Sequence, residues 1–450
     1  MKFIIVGVGK VGETLIKNIV KENHDIIIVD TNKVVVENIV NKYDVRGVCA
    51  SGLERDVLKD AGVETADFFL SCTSHDEMNI LCCALAKKLG AKQTIARVRD
   101  PGYFKEVGKI RDELGIDLAF NPELRAASEI AQILRFPFAS KVERFAGGNV
   151  VLCEFAIKED NPIRGLSLRE ITSKYLCKVL CVLVERKGKI FIPKGDFVLL
   201  EDDIISVVAS DEELIKFLKN INMYKQAVKS VFIVGGGKIS YYLSRELVKN
   251  KVSVKIIEVD RTRCEELAGL LPKATIICGD GTEEELLMEE NIKGSDAFVA
   301  LTGVDEENAI ISLYAKQLGV SKVVSKVDRD AVYSMSKGLG LDSVVSPRLA
   351  IADQITKFVR AQQEDVGGGI NTFYTLGGKA EAIEFTATEN FKKIGVPIKE
   401  MNIKKNTLIG GLVRGGEYIL PTGNEGIFVG DRVIVITTLG QIKRLSDILN

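Results

Sequence analysis

Apolar and polar positions alternate along the chain in two ways. In the first, short continuous apolar runs at 2–6, 25–29, 45–49, 68–72 and 94–98 are separated by stretches with helical periodicity at 11–20, 33–41 and 77–89. A run without in/out alternation is buried on both faces, so this pattern predicts parallel strands in a sheet covered by helices on both sides. In the second, strand candidates at 150–156, 180–185, 189–191 and 204–208 accompany short helices at 168–174 and 211–218. The segment PKGDFVLLEDD starting at Pro193 supplies turn chemistry between strands. This region reads as a small α+β lobe.

Both patterns recur. Gly7 and Gly235 lie 228 positions apart, as do Asp30 and Glu258. Thr73, Asp76 and Asn79 recur as Thr302, Asp305 and Asn308 at an offset of 229, and Pro193, Gly195 and Asp203 recur as Pro421, Gly423 and Asp431 at 228. A near-constant offset of this extent marks a tandem duplication. The expected architecture is α/β: two tandem Rossmann-like doubly wound parallel-sheet domains, at 1–121 and 229–348, each followed by a small α+β lobe, at 140–223 and 369–450. The run Gly367-Gly368-Gly369 reads as the linker before the last lobe.

The first domain carries the most explicit chemistry. Gly7-Val8-Gly9-Lys10-Val11-Gly12 is a GxGxxG turn between a strand and a helix. Gly7 permits the tight turn, Gly9 lets backbone approach a pyrophosphate, and Gly12 allows the helix to pack on the strand. The helix N-terminus then presents free N–H groups to the anion. Asp30 ends the second strand, 18 residues after Gly12. Its carboxylate suits both ribose hydroxyls and repels a 2′-phosphate, which favours NAD over NADP; it also fits a helix N-cap, and the two roles are compatible. Thr73 and Ser74 follow the fourth strand, where they either line the ribose or nicotinamide side or cap the next helix, with Asp76 and Asn79 one turn further on. Arg97 ends the fifth strand as a fixed cation for phosphates or as a surface arginine.

The second copy departs from the first. Gly235-Gly236-Gly237-Lys238-Ile239-Ser240 has serine in place of the third glycine, which puts a side chain at a tight helix–strand contact. Glu258 stands where Asp30 does. Lys326 stands opposite Arg97 and keeps the charge without the planar fork. Thr302 repeats Thr73. These residues predict a second site of altered affinity or ligand choice.

Composition narrows the function classes. With 61 basic and 62 acidic residues the net charge is −1, without the basic excess of a nucleic-acid binder. The two histidines, His24 and His75, stand at helix-flanking polar positions and argue against a zinc site or a histidine-based catalytic centre. Nine cysteines without a CxxC pair read mostly as reduced core residues of a cytosolic protein. No signal-peptide pattern is evident, and no apolar stretch approaches the 18 residues of a membrane span.

Taken together, GVGKVG at Gly7, VDTN at Asp30, CTSHDEMN around Thr73, ARVRDP at Arg97, GGGKIS at Gly235 and the PxG…GD turns at Pro193 and Pro421 resemble the tandem RCK (KTN) regulatory proteins of Trk-type potassium uptake. The resemblance spans essentially the whole chain. It implies NAD or NADH at the positions matching Gly7–Val11, Asp30, Thr73, Ser74 and Arg97, with ATP or ADP as a further ligand, above all at the second site. It also implies a homotetrameric ring docked on an integral membrane potassium channel or transporter subunit (TrkH-like), hence a cytoplasmic location, peripheral on the inner face of the cell membrane. Cys49-Ala50-Ser51-Gly52-Leu53 departs from the usual polar loop near the adenosine, whereas Cys278-Gly279-Asp280-Gly281-Thr282 keeps it better and adds Asp280 to the second site. The expected function is regulatory and non-enzymatic. An NAD-dependent oxidoreductase is the alternative, and a structural scaffold with vestigial sites the third.

Overall fold

A computed structural model of the chain describes residues 1–20, 24–224, 228–341, 343–362, 370–376, 380–439, 442 and 444–450. The glycine run at 367–369 lies outside the described residues. The first module runs β1 (Lys2–Val6), α1 (Lys10–Ile19), β2 (Asp25–Asp30), α2 (Lys33–Lys42), β3 (Arg46–Cys49), α3 (Arg55–Asp60), β4 (Phe68–Ser71), α4 (Asp76–Lys88), β5 (Gln93–Arg97), α5 (Pro101–Ile110), β6 (Leu118–Phe120) and α6 (Pro122–Arg135). Its six strands are parallel in the order β3-β2-β1-β4-β5-β6. The order reverses between β1 and β4, so the loops leaving these two strands diverge and open a crevice at their carboxyl ends.

The first lobe follows: β7 (Lys141–Phe145), β8 (Val150–Ala156), α7 (Leu168–Tyr175), β9 (Leu180–Arg186), β10 (Lys189–Phe191), β11 (Ile204–Ala209) and α8 (Asp211–Asn220). These strands form an antiparallel sheet in the order β10-β9-β11-β8-β7. The repeated aspartate explains the turn motif read from sequence. Asp203 is fully buried, takes two hydrogen bonds of 2.7 Å from the Arg186 guanidinium, and accepts from Leu200 N. Asp431 repeats the arrangement with Arg414 and Phe428 N.

The second module runs β12 (Ser230–Val234), α9 (Lys238–Lys249), β13 (Ser253–Glu258), α10 (Arg261–Leu270), β14 (Thr275–Cys278), α11 (Glu284–Glu289), β15 (Ala297–Ala300), α12 (Asp305–Gln317), β16 (Lys322–Lys326), α13 (Asp330–Gly338), β17 (Val344–Val345) and α14 (Pro347–Gln362). Its sheet, β14-β13-β12-β15-β16-β17, repeats the first. The second lobe holds β18 (Ile370–Leu376), β19 (Ala380–Thr386), β20 (Thr407–Arg414), β21 (Glu417–Ile419) and β22 (Arg432–Thr437), ordered β18-β19-β22-β20-β21.

The two modules exchange helices, which local periodicity does not announce. Ala126, Ala127, Ile130 and Leu134 of α6 join the core formed by Val231, Ile233 and Leu243 of the second module. Ile351, Ile355 and Val359 of α14 join Phe3, Ile5 and Leu15 of the first. Each module thus completes the other's hydrophobic core, the interaction that dominates folding free energy. The lobes also pack together, Val182 and Val208 against Ile434 and Ile436. The buried Glu384 of β19 joins them further, accepting from Ala146 N at 2.8 Å and pairing with Arg432. Among the described residues no helix is long and apolar enough to cross a membrane.

Candidate functional site

The carboxyl ends of both parallel sheets open into one cavity of about 1180 Å³. It is lined by Gly7, Gly9, Lys10, Val11, Asp30, Thr73, Ser74 and Arg97 from the first module and by Gly235, Gly236, Gly237, Lys238, Ile239, Glu258, Asp280, Thr302 and Lys326 from the second. A single small-molecule site occupies about 300–1,000 Å³, so this volume exceeds what one ligand needs. Val8 and Gly12 do not line it. The Val8 side chain is buried in the core and only its backbone N–H serves the turn.

Each glycine turn is braced by the acidic residue ending the second strand. Asp30 accepts from Val8 N and Asn32 N, both at 2.9 Å. Glu258 does the same for Gly236 N at 2.5 Å and Asp260 N at 2.9 Å. An ionised carboxylate has about four acceptor positions, so each keeps capacity for further donors. The N-cap of α2 is Asn32, which accepts from Val34 N and Val35 N. Asp30 is therefore a brace for the glycine turn, and its expected capping role is corrected.

Gly7 has φ +82°, and a Cβ there would stand 2.6 Å from Thr73 N; glycine is needed because the backbone of Cys72 and Thr73, leaving β4, passes directly against the turn. At the third position, a Cβ on Gly12 would lie 2.4 Å from the Gly7 carbonyl oxygen. Ser240 occupies the matching contact, fully buried, and its hydroxyl donates to the Gly235 carbonyl. The serine thus answers the close approach with a hydrogen bond.

Thr73 and Ser74 do not cap α4, whose N-cap position is His75. Instead Thr73 is held by the fully buried Asn79, whose Oδ1 accepts from Thr73 N at 2.7 Å and whose Nδ2 donates to Thr73 O and to Arg97 O. Asp76 accepts from Arg99 N and Asp100 N. Asn308 and Asp305 reproduce both sets in the second module. The repeated Asp and Asn therefore tie the ends of the fourth and fifth strands together and fix the cavity floor.

Arg97 is no surface arginine. Its side chain is 14% exposed and lies 3.9 Å from the Glu123 carboxylate. Burial pulls its guanidinium below the ordinary value, and Glu123 opposes that shift. Its counterpart Lys326 donates to Thr302 O at 2.9 Å. His24, read as helix-flanking, packs its ring 5.1 Å from that of Phe3.

Several wall residues escaped the sequence reading. Arg99 pairs with Glu123 at 2.7 Å in the first module, and Arg348 lies 3.7 Å from Asp328 in the second. The two pairs occupy equivalent places with their signs exchanged. Glu123 and Arg348 each follow the proline that opens α6 or α14. That proline, Pro122 or Pro347, recurs at an offset of 225 and was the available signal. Asn121, just before α6, donates to Tyr242 Oη of α9 at 2.9 Å and locks the two modules together beside the cavity. Burial pushes the Tyr242 hydroxyl up to about 12, so it stays neutral in this contact.

Comparison with known proteins places this arrangement. The TrkA-N domain model matches residues 3–122 and 231–347, and the TrkA-C domain model matches 152–222 and 382–450. The chain is 34% identical to the Trk system potassium uptake protein TrkA homolog of Archaeoglobus fulgidus over the full length of both chains. It is 35% identical to TrkA homolog 1 of Methanosarcina mazei, covering 97% of each chain. It is 31% identical to the Trk system potassium uptake protein TrkA of Haemophilus influenzae, over 97% of this chain and 95% of that one. Among solved structures, the fold resembles the GsuK channel bound to NAD with a TM-score of 0.65 at 18% identity, covering 98% of this chain and 77% of that chain. It resembles the GsuK RCK domain with a TM-score of 0.64 at 17% identity, covering 98% and 93%. The domain models alternate along the chain in the order of its sheets and lobes, and full-length relatives carry the same plan, so the chain belongs to the TrkA family of potassium uptake proteins.

Proposed function

We propose that this chain is the nucleotide-sensing regulatory subunit of a potassium uptake system. In this reading NAD or NADH occupies the first site, ATP or ADP competes above all at the second, and the chain docks as a homotetramer on the cytoplasmic face of an integral membrane potassium-conducting subunit of TrkH type. The observation that carries it is the single cavity shared by two glycine-turn sites on modules that exchange helices. A nucleotide there touches both modules, so its binding free energy depends on their relative pose. A ligand shifts a conformational equilibrium only through such differential binding. A tenfold preference for one pose supplies about 1.4 kcal/mol per site, so several coupled sites are needed for a strong switch.

Within this reading the Gly7 turn and the N-terminus of α1 hold the pyrophosphate, Asp30 the ribose, and Thr73 and Ser74 the nicotinamide side, with Arg97 as the nearby fixed charge. Glu258, Asp280, Thr302 and Lys326 play these parts at the second turn. Lys10 and Lys238, in the first turns of α1 and α9, complete the anion sites. Calorimetric titration of the full chain with NADH, NAD, ATP and ADP tests the proposal. Saturable binding is expected, and its Kd at one site is expected to change when the other is occupied. No heat and no thermal shift with any of the four would leave a scaffold. Steady oxidation of NADH by an added carbonyl substrate would revive the oxidoreductase.

A further inference from the structure

The cysteines differ in environment, with Cys181 intermediate between buried and exposed. Cys72, Cys82, Cys83, Cys153 and Cys177 are core residues whose thiols burial pushes up. Cys49 and Cys278 are exposed, at equivalent positions: each is the last residue of its module's edge strand, β3 or β14, and each leads into a loop lining the cavity. The copies then differ. The fourth residue of α10 is Cys264, whereas the fourth residue of α2 is Val36.

Cys264 is 7% exposed, and its Sγ donates to Glu258 O at 3.2 Å and lies 3.9 Å from Ile277 O. Cys278 follows Ile277 and is in register with Glu258 across the β13–β14 pair. Gly279 N donates to the same Glu258 carbonyl at 2.9 Å. Cys264 Sγ therefore reaches the carbonyl of Glu258, the residue in register with Cys278, and that of Ile277, the residue before Cys278. Burial first, then Cys278 and the nearby carboxylates, push the Cys264 thiol up to about 11. One thiol is therefore exposed and the other buried beside the same strand end. In the first module, among the described residues, the Cys49 sulfur donates to the Thr31 carbonyl at 3.6 Å.

We propose that Cys264 and Cys278 form a reversible dithiol–disulfide site, oxidised by low-molecular-weight disulfides such as glutathione disulfide, that controls the second nucleotide site. The exposed Cys278 thiolate attacks one sulfur of the small disulfide, forming a mixed disulfide and expelling one thiolate, which takes up the proton Cys278 released. Cys264 then gives up its proton and attacks Cys278 Sγ, expelling the second small thiol. The chain loses two electrons and two protons, and one small disulfide becomes two thiols. The bond removes the Cys264 donor from the Glu258 carbonyl and draws the end of β14 toward α10. That displaces the loop Gly279–Thr282 from the cavity wall beside Glu258, so the oxidised form binds nucleotide more weakly. The first site has no second thiol at this place and is not linked in the same way.

This control rests on the proposed nucleotide binding, so the experiment separates the two. The native full chain is treated with glutathione disulfide, and its peptides are mapped without reduction. A Cys264–Cys278 linkage two hydrogens lighter than the free thiols, reversed by dithiothreitol and absent from Cys264→Ser, is expected. Cys49 is expected to carry at most a glutathione adduct. In Asp30→Asn, where the second site is left to dominate, oxidation is expected to raise the Kd for ADP or NADH about tenfold, within the usual span of coupling between sites. An adduct on Cys278 without the internal link overturns the site. A link with unchanged affinity overturns its control of the nucleotide. A reduced chain that binds no nucleotide overturns the proposed function and the control with it, while the mapping still decides whether the disulfide site exists.

Discussion

Asp30→Asn is expected to remove most of the stabilisation that NADH confers through the first site. A ligand present at about 100 times its Kd stabilises the folded chain by about 2.7 kcal/mol, and a variant with a Kd raised about a hundredfold keeps only about 0.4 kcal/mol of this. Asparagine is the informative replacement because Asp30 braces the glycine turn and, in the proposed function, also holds the ribose. One carboxylate oxygen accepts from Val8 N and the other from Asn32 N. The asparagine carbonyl can still accept from Val8 N, so the glycine turn survives, but the amide end donates and the negative charge is gone. It no longer offers acceptors to both ribose hydroxyls. Alanine would confound the result, since it also leaves Val8 N without its partner. Thermal denaturation with and without NADH measures the effect; an undiminished shift in Asp30→Asn would remove Asp30 from the site.

Arg432→Ala is expected to lower the unfolding free energy by about 3 kcal/mol, the lower end of the range for breaking a buried ion pair. Glu384 has no exposed side-chain surface, whereas Arg432 is 36% exposed. Among the described residues, removing the arginine leaves a buried carboxylate with Ala146 N as its remaining donor. That donor belongs to the first lobe, so the damage falls on the contact between lobes. Arg432→Met, which keeps the stem and loses the charge, separates lost packing from lost pairing, since an arginine stem also covers apolar surface. Urea denaturation of the two variants checks this: equal losses assign the effect to the charge, and no loss in either would show the pair to be dispensable.

Much of this architecture is legible in the sequence, for a physical reason. Parallel strands buried on both faces read as continuous apolar runs, so the five runs of the first module coincide with β1 to β5 to within a residue. The helix read at 77–89 is α4, Asp76–Lys88. The glycine turns are legible because their backbone demands a residue type. Other features are set by distant contacts and leave no local trace. β6 has three residues and β17 two, too short for any periodicity. The helical pattern of α6 shows an apolar face without saying which sheet it covers, and that sheet belongs to the other module. Asp30 and Asn32 both suit an N-cap, and only the backbone path assigns the cap to Asn32. The exchanged pairs Arg99–Glu123 and Asp328–Arg348 were hidden because the repeat offset falls from 229 to 225 between their members, and because their signs are opposite. Cys49 and Cys278 sit in apolar runs yet are exposed, because each ends an edge strand.

The central claim is that nucleotide held in the shared cavity regulates potassium uptake through a membrane partner. Its most direct measurement is the initial rate of potassium uptake in cells of the source organism lacking this chain, supplied in trans with either the native chain or Asp30→Asn at matched abundance. The account predicts that the native chain restores uptake, and that the variant restores it only in part and without response to the cellular NADH level. Uptake that is normal in the deletion strain, or restored equally and with the same NADH response by both chains, would contradict it.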